Sequence, residues 1–389
     1  MISAPGDPPV SLAGRDVEVI EVTTARGLHS FITFPLSLYR HDRFYTPQLT
    51  RDLKVHFSRK NPFFKTAEVR LFLARSGGSV VGRVAAIVNL QHVTHHRERA
   101  GFFGFFESVN DPAVSGALLG AVCEVLKERG MEVIRGPMNF STNEECGFLT
   151  EGFGSPAMLL MPYNPAYYAD LMDDFGMTKA KDLFAYIYHV LDELPEKVLR
   201  VASLAEKRGI TVRTIEKKNF EADMMTFGEV YNDAWKRNWG FIPLTAEELR
   251  YNAGRLKSLV VPDLVMIAEQ KGEPVGFLGM LPDFNNVLRH MGGRLTPVTV
   301  LKALYYSRKI TDLRLLLLGI KEEYRTRGVD ALMFREGFEA LKRGGYKRVE
   351  FSWILEDNLP VIRIVEMLGG RLYKRYRIYE KEIVSCRVS

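Results

Sequence analysis

Apolar residues along the chain switch repeatedly between strand-like and helix-like spacing, and the switches fall at Gly, Pro, Asn and Asp. Residues 16–22 read as a strand and 28–38 as a helix. Asn61-Pro62-Phe63-Phe64 leads into a strand over 69–74, and the turn Ser76-Gly77-Gly78-Ser79 reverses the chain into a second strand over 80–88. A polar stretch with His92, His95 and His96 precedes a strand over 101–107. A helix opens at Asn110-Asp111-Pro112, where proline suits the first turn, and closes at Gly130. The strand 132–134 follows. After a long loop, Asn164-Pro165 starts a helix ending at Phe175-Gly176, before a strand over 183–190.

The second half repeats this order. Residues 264–268 and 275–280 form a hairpin around Lys271-Gly272; an apolar strand starts at Leu313, and its helix closes at Gly345. The strand 348–354 follows, and Glu356-Asp357-Asn358 opens a helix that ends at Leu368-Gly369-Gly370. Residues 82 and 276, both Gly after Val, stand 194 positions apart, as do Asn164 and Asn358. Two landmarks at one offset argue for a tandem duplication. The division is a disordered tail over 1–15, a first domain over 16–192, a charged helical linker over 193–210, and a second domain over 211–389.

The strand from Leu313 runs straight into Arg325-Thr326-Arg327-Gly328, which opens a helix. On that helix Phe334, Phe338 and Leu341 share one face, while Arg335, Glu336, Glu339 and Lys342 fall elsewhere. The free N–H groups of its first turn, with Arg325 and Arg327 beside them, make a site for phosphate groups. An ordinary strand–turn–helix connection is the plainer alternative. The matching turn of the first half, Ser108-Val109-Asn110-Asp111-Pro112, has no arginine and carries an acid. An anionic ligand therefore belongs to the second half.

These residues resemble the signature of the GNAT acyltransferase superfamily, in which R/Q-x-x-G-x-G/A after the fourth strand holds the pyrophosphate of coenzyme A. Arg325 and Gly328 match the first and fourth positions, and Asn358 matches the asparagine after the fifth strand. Asp330 stands where Gly or Ala is expected, and Val365 where many members carry a tyrosine that protonates the leaving thiolate. The resemblance implies two tandem α/β GNAT-like units, each with a mixed, mostly antiparallel sheet flanked by helices. It implies acyl-CoA as co-substrate without a metal, held by Ile320, Lys321, Arg325, Thr326, Arg327, Gly328, Val329, Asp330, Ala331 and Asn358. Asn61-Pro-Phe-Phe64, Gly101-Phe-Phe-Gly-Phe-Phe-Glu107, Gly136-Pro137 with Asn143-Glu144, and Tyr163-Asn-Pro165 extend the resemblance to a group of tandem-GNAT bacterial acyltransferases that includes the ceramide synthases. That group implies transfer of a fatty acyl group from a thioester to the amine of a sphingoid base. Small-amine acetyltransferases, peptidoglycan-type aminoacyl transferases and non-catalytic GNAT-like binding proteins are the alternatives.

Acyl transfer to an amine needs a base for the proton and donors for the developing oxyanion. The loop from Gly136 to Tyr168 of the first half follows a strand end and offers amides, hydroxyls and carboxylates together. Glu144 and Glu145 are the candidate bases there, with Asn139, Asn143 and Tyr163 as orienting groups; Asp283, after the second hairpin, is the reserve base. The plainer alternative is a polar surface loop. The three histidines read as solvated loop residues rather than metal ligands. Phe102, Phe103, Phe105 and Phe106 fit a strand buried on both faces better than an acyl tunnel. Trp235 and Trp239, four apart, fit helix packing or the cover of a ligand cleft.

Composition narrows the partners. At 46% hydrophobic and 26% charged, the 389 residues suit globular domains with full cores. No apolar run reaches the length of a membrane span, and the first residues lack a secretory signal. Three cysteines without metal spacing fit a reducing cytoplasm. A net charge of +6 fits an anionic ligand or an anionic membrane surface and does not call for nucleic acid. The expected partners are therefore acyl-CoA or acyl carrier protein, an amine-bearing lipid, and the surface of the inner membrane.

Overall fold

The structure is a computed structural model that describes residues 16–190 and 193–385; the expected tail over 1–15 lies outside the described residues. The first half runs β1 (Glu18–Glu21), α1 (Ala25–Leu38), α2 (Thr50–His56), β2 (Ala67–Ser76), β3 (Ser79–Asn89), α3 (Leu90–His96), β4 (Ala100–Ser108), α4 (Pro112–Glu128) and β5 (Val133–Gly136). Short strands β6 (Met138–Asn139), β7 (Glu145–Cys146) and β8 (Phe148–Glu151) precede α5 (Tyr168–Asp174) and β9 (Thr178–His189). After α6 (Glu196–Lys207) the second half runs β10 (Ile210–Thr214), α7 (Phe220–Ala234), α8 (Ala246–Leu256), β11 (Val265–Gln270), β12 (Glu273–Pro282), α9 (Asn285–Leu288) and α10 (Pro297–Ser307). It closes with β13 (Asp312–Ile320), α11 (Val329–Gly344), β14 (Arg348–Leu355), α12 (Leu359–Met367) and β15 (Arg371–Glu382).

Local chemistry explains several of these boundaries. Asp111 accepts the N–H of Ala113 and Pro112 takes the first position of α4, as its residue types dictate. Gly328 and Gly345, both left-handed, begin and end α11. The helix expected at Asn164 starts later, at Tyr168, because the Asn164 side chain is spent elsewhere: its Oδ1 accepts from Leu149 N and its Nδ2 donates to Leu149 O. β3 and β4 are buried on nearly every residue, so neither shows alternation.

The halves are joined through one sheet of 13 strands in the order β1-β2-β3-β4-β5-β15-β9-β14-β13-β12-β11-β10, with β8 also on β15. The last strand of each half lies beside the other half. β15 pairs antiparallel with β5, and β9 pairs antiparallel with β14; β9 and β15 then pair with each other. Cores follow the exchange. Tyr186 and Tyr188 of β9 pack in the second half's core, and Tyr379 of β15 packs in the first half's. Arg377 donates from Nε and Nη2 to the Asp182 carboxylate across the seam at 2.7 and 3.1 Å. α6 is packed along α11 rather than spanning open space, with Arg335 paired to Glu206 at 2.6 Å.

Arg314 fastens the first half's loop to the second half's sheet. Its Nη1 donates to the Leu159 and Leu160 carbonyls at 2.9 and 2.8 Å, and its Nε donates to Ser352 Oγ at 2.8 Å. Glu350, fully buried, balances its charge at 3.9 Å.

In each half the central parallel pair is short. β4 and β5 pair only from Ala100/Val133 to Phe102/Arg135, and β13 and β14 only from Asp312/Arg348 to Leu315/Phe351. Beyond those points the strands part. In the first half the gap is filled by the chain itself: Asn139 Oδ1 accepts the Phe105 N–H at 2.7 Å, and a Cβ on Gly104 would stand 1.7 Å from the Met138 carbonyl oxygen. Gly104→Ala is therefore expected to destabilise the protein by about 3 kcal/mol in urea unfolding, because backbone rather than a flexible side chain must yield. Gly116→Ala, in α4 with open space around its Cβ, should instead stabilise by about 0.5–1 kcal/mol.

Candidate active site

In the second half the corresponding gap stays open. At Leu316 the β12–β13 register slips, so that Leu315 faces Met280 and Leu317 faces Gly279. Leu316 is left outside the ladder as a bulge. From there to Ile320 no strand pairs with the β14-facing edge of β13 among the described residues. Leu316, Leu317 and Leu318 on one side and Trp353, Ile354 and Leu355 on the other line the cleft.

The strand then reaches the basic turn. Gly328 has φ 84°, carries no side-chain cap onto α11, and a Cβ there would lie 2.9 Å from Val201 of α6. Thr326 is also left-handed, with φ 68°. Arg325 is exposed and anchored by Nη2 to the Ala234 carbonyl at 2.6 Å; Arg327, also exposed, lies over the Tyr324 ring. Lys321 pairs with Glu229. Val329 and Ala331 are buried, Asp330 is half-buried in the first helical turn, and Ile320 ends the strand. Asn358, at the start of α12, makes no side-chain cap and lines the cavity, whereas Arg325 to Ala331 lie outside its wall. An extended arm with anionic groups at one end would fit this arrangement: the open strand edge leaves room for an arm, and the uncapped helix start with two arginines offers donors to negative charge.

The cavity measures about 1180 Å³ and is lined by both halves. It exceeds the roughly 300–1,000 Å³ of ordinary small-molecule sites. Glu144, Glu145, Asn143 and Tyr163 all reach it, as do His56 of α2 and Arg255 of α8. Trp235 and Trp239 also line it, although α7 ends before either, so they cover the cavity from a turn and not as a helical pair. Phe105 and Phe106 line it as well, while Phe102 and Phe103 are core.

Glu144 sits in the most constrained environment. His56 Nε2 is 3.3 Å from its Oε2, and Arg255 Nη1 is 3.9 Å away. Arg255 Nη1 and Asn61 Nδ2 both approach His56 Nδ1, at 3.3 and 3.4 Å. Both are donors, so Nδ1 accepts and the neutral ring keeps its proton on Nε2, aimed at Glu144. Burial lowers His56 to about 3, and burial raises Glu144 to about 8. Burial also raises Glu145, which accepts from Gln48 Nε2 at 3.3 Å.

The other sequence candidates are more committed. Asn143 donates to the Ile242 carbonyl at 2.9 Å and accepts from Tyr231 Oη at 2.7 Å, which ties the loop to the turn after α7. Tyr163 donates to Asp42 at 2.6 Å. Asp283 is raised to about 7, mainly by burial, and lies behind the cavity wall. It accepts the N–H groups of Leu159 and Asn285 and the Asn286 amide. The histidines lie in α3 and not in a solvated loop: His92 is buried and faces Glu98 at 3.3 Å, and His96 Nε2 lies 2.8 Å from the Phe241 carbonyl of the other half. Sequence reading missed His56 and Arg255, which stand alone in unremarkable surroundings. It also passed over Arg314, although a charge inside the apolar run Leu313–Leu318 is a signal of its own.

No protein-family model matches the chain. Over 383 residues it is 34% identical to the bacterial ceramide synthase of Caulobacter vibrioides, covering 96% of this chain and 100% of that protein. Over 362 residues it is 33% identical to protein YghO of Escherichia coli, covering 92% and 93%. Among solved structures, a tandem GNAT protein from the clavulanic acid biosynthesis pathway superposes with a TM-score of 0.56 at 12% identity, covering 95% of this chain and 99% of that one. A GCN5-related N-acetyltransferase from Sphaerobacter thermophilus gives 0.51 at 15% identity, covering 94% and 96%. The fold is thus GNAT-like, and the chain belongs to the family of tandem-GNAT N-acyltransferases that includes bacterial ceramide synthase.

Proposed function

We propose that this acyltransferase moves a long fatty acyl group from a thioester to the primary amine of a sphingoid-type lipid, at the surface of the inner membrane. The observation that carries the proposal is a single cavity running from the open β13–β14 cleft to Glu144, walled largely by apolar side chains from α7, α8, α9 and α10. A small-amine acetyltransferase has no use for so large an apolar chamber. A chain of a dozen methylenes buried there is worth roughly 0.8 kcal/mol per methylene, so the tail supplies affinity and the few polar groups supply orientation. The name of the Caulobacter relative points to the same acceptor.

The donor's pantetheine arm runs along the free edge of β13, with its phosphates at Arg325, Arg327 and the start of α11. Its thioester then lies at the bulged Leu316, whose backbone groups are outside the ladder. Glu144 takes the proton from the attacking amine, with Glu145 beside it. The amine nitrogen forms the amide bond as the C–S bond breaks, and the sulfur leaves as a thiolate that takes its proton from water. A carboxylate that titrates near 8 is matched to a primary ammonium group. Asn143, Tyr163 and Asp283 hold the loop and wall in position and do not exchange protons. The first half serves as the acceptor side, since Asn139 and Met138 occupy its own cleft.

Four measurements test this reading. Glu144→Gln should lower thiol release from a long-chain acyl-CoA with a sphingoid base by about a hundredfold or more, with far less effect on amine binding. In the parent enzyme the rate should rise with pH through about 8 as Glu144 ionises, a limb that the variant loses. An unchanged rate and profile would remove Glu144 as the base.

Stability carries the opposite sign. Folding lifts the Glu144 pKa, so the folded state holds a proton that the unfolded state has released between the ordinary carboxylate range and about 8, and the Glu144 contribution to stability falls as pH rises across that window. The melting temperature of Glu144→Gln relative to the parent should therefore rise from pH 6 to pH 9; a flat difference would mean that Glu144 is not held protonated. Replacing Arg325 and Arg327 together with alanine should weaken acyl-CoA binding by about 2–4 kcal/mol. Unchanged acyl-CoA affinity, with activity supported by acyl carrier protein, would move the donor to the carrier protein, which brings one phosphate in place of a pyrophosphate.

A further inference from the structure

α10 is unlike the other long helices. It has a threonine capping box (Thr296 and Thr299) and proline at its first position, so its sequence specifies a firm helix. Yet it contains no buried residue. One face, with Val300, Ala303, Leu304 and Ser307, lines the cavity. The opposite face carries Val298, Leu301 and Tyr305, which are 63%, 68% and 54% exposed and take no part in the cavity wall. Their i, i+3, i+7 spacing puts them in one stripe. α10 is a single-helix wall, apolar on its inside and on its outside.

The charge around it has one sign. Between Phe284 and Thr311 there is no aspartate or glutamate, but there are Arg289, Arg294, Lys302, Arg308 and Lys309. Lys302 and Lys309 flank the apolar stripe, and Lys309 reaches over the Tyr305 ring at 4.1 Å. An apolar stripe edged by cations, with a tyrosine at its margin, matches an interfacial helix lying in the headgroup layer of an anionic bilayer. No helix among the described residues is long and apolar enough to cross a membrane, so the contact is at the surface.

We infer that the outer face of α10, with its flanking lysines and arginines, docks the protein on an anionic lipid bilayer and sets the cavity wall against the membrane, where a long-chain amine passes from lipid to cavity past α10. Delivery of the amine rests on the acyltransferase reading above; docking does not. An acidic carrier protein would also meet the cations, but the outward stripe of Val298, Leu301 and Tyr305 favours hydrocarbon.

The test is cosedimentation of the full chain, without substrate, with vesicles of phosphatidylcholine alone or mixed equally with phosphatidylglycerol. The protein should bind the anionic vesicles, more weakly as salt rises, and bind the neutral ones far less. Val298→Ser with Leu301→Ser should reduce binding at least about tenfold, and Lys302→Gln with Lys309→Gln should do so on anionic vesicles; all four side chains are exposed, so melting temperatures should not move. With a long-chain amine carried in the vesicles, the Val298/Leu301 variant should lose turnover in proportion to binding while a short water-soluble amine reacts as before. Absence of wild-type binding, equal binding by both variants, or capture of acyl carrier protein without vesicle binding would overturn docking on lipid. Equal loss of turnover on both amines would overturn delivery past α10. A protein that binds vesicles but releases no thiol would keep the docking and discard the acyltransferase reading.

Discussion

The antiparallel pairing of β9 with β15 is the constraint on which everything else depends. Each strand ends one half of the duplicated chain and lies next to the other half, so neither unit can complete its sheet or core alone. The seam is reinforced where polar groups are buried: Arg377 with Asp182 between the strands, and Arg314 with the Leu159 and Leu160 carbonyls between first-half loop and second-half sheet. Removing one partner of such a buried pair commonly costs about 3–5 kcal/mol, because the other is left uncompensated. The exchange therefore fixes the geometry between the halves, and the large cavity between them inherits that rigidity.

The two halves differ at the corresponding cleft. Both copies part their central parallel strands after a few residues, which opens a cleft in any such sheet. In the first, Gly104 lets the Met138 carbonyl approach and Asn139 satisfies the Phe105 amide, so the cleft is closed by its own chain. In the second, the cleft stays open and leads to a helix start with two arginines and no side-chain cap. The freed loop of the first copy brings Glu144 and Glu145 to the shared cavity. Burial holds Glu144 near 8, while two donors on Nδ1 keep His56 neutral with its proton toward that carboxylate.

Local chemistry was readable in the sequence; what crosses between distant segments was not. Pro112 with Asp111, Gly328, Asn358 and the hairpin turns at Gly77-Gly78 and Lys271-Gly272 announce turns and helix starts within a few residues of where they occur, because caps and left-handed positions depend on neighbours along the chain. The GNAT-like order followed from them. β15 escaped because Arg, Lys and Glu occupy most of its outward positions, and only Lys374, Tyr376, Ile378 and Tyr379 are buried. Its place beside β5 depends on a pairing more than 200 residues away in sequence, Glu382 with Val133, and no local pattern encodes that. His56 and Arg255 are silent for the same reason: their meaning is the carboxylate they meet. Asp283 was readable as an acid after a hairpin, but its backbone partners, Leu159 above all, were not.

In the proposed reaction one chamber would admit an acyl donor from the second half and a long-chain amine opposite the first. The most direct test is the affinity of a bisubstrate analogue in which coenzyme A is joined through a thioether to a long-chain amine. Linking two occupants of one cavity raises the effective concentration of each to the millimolar range or above. The analogue is expected to bind at least about a hundredfold more tightly than coenzyme A or the amine alone. Binding no tighter than the better of its two parts would mean that donor and acceptor do not share the chamber.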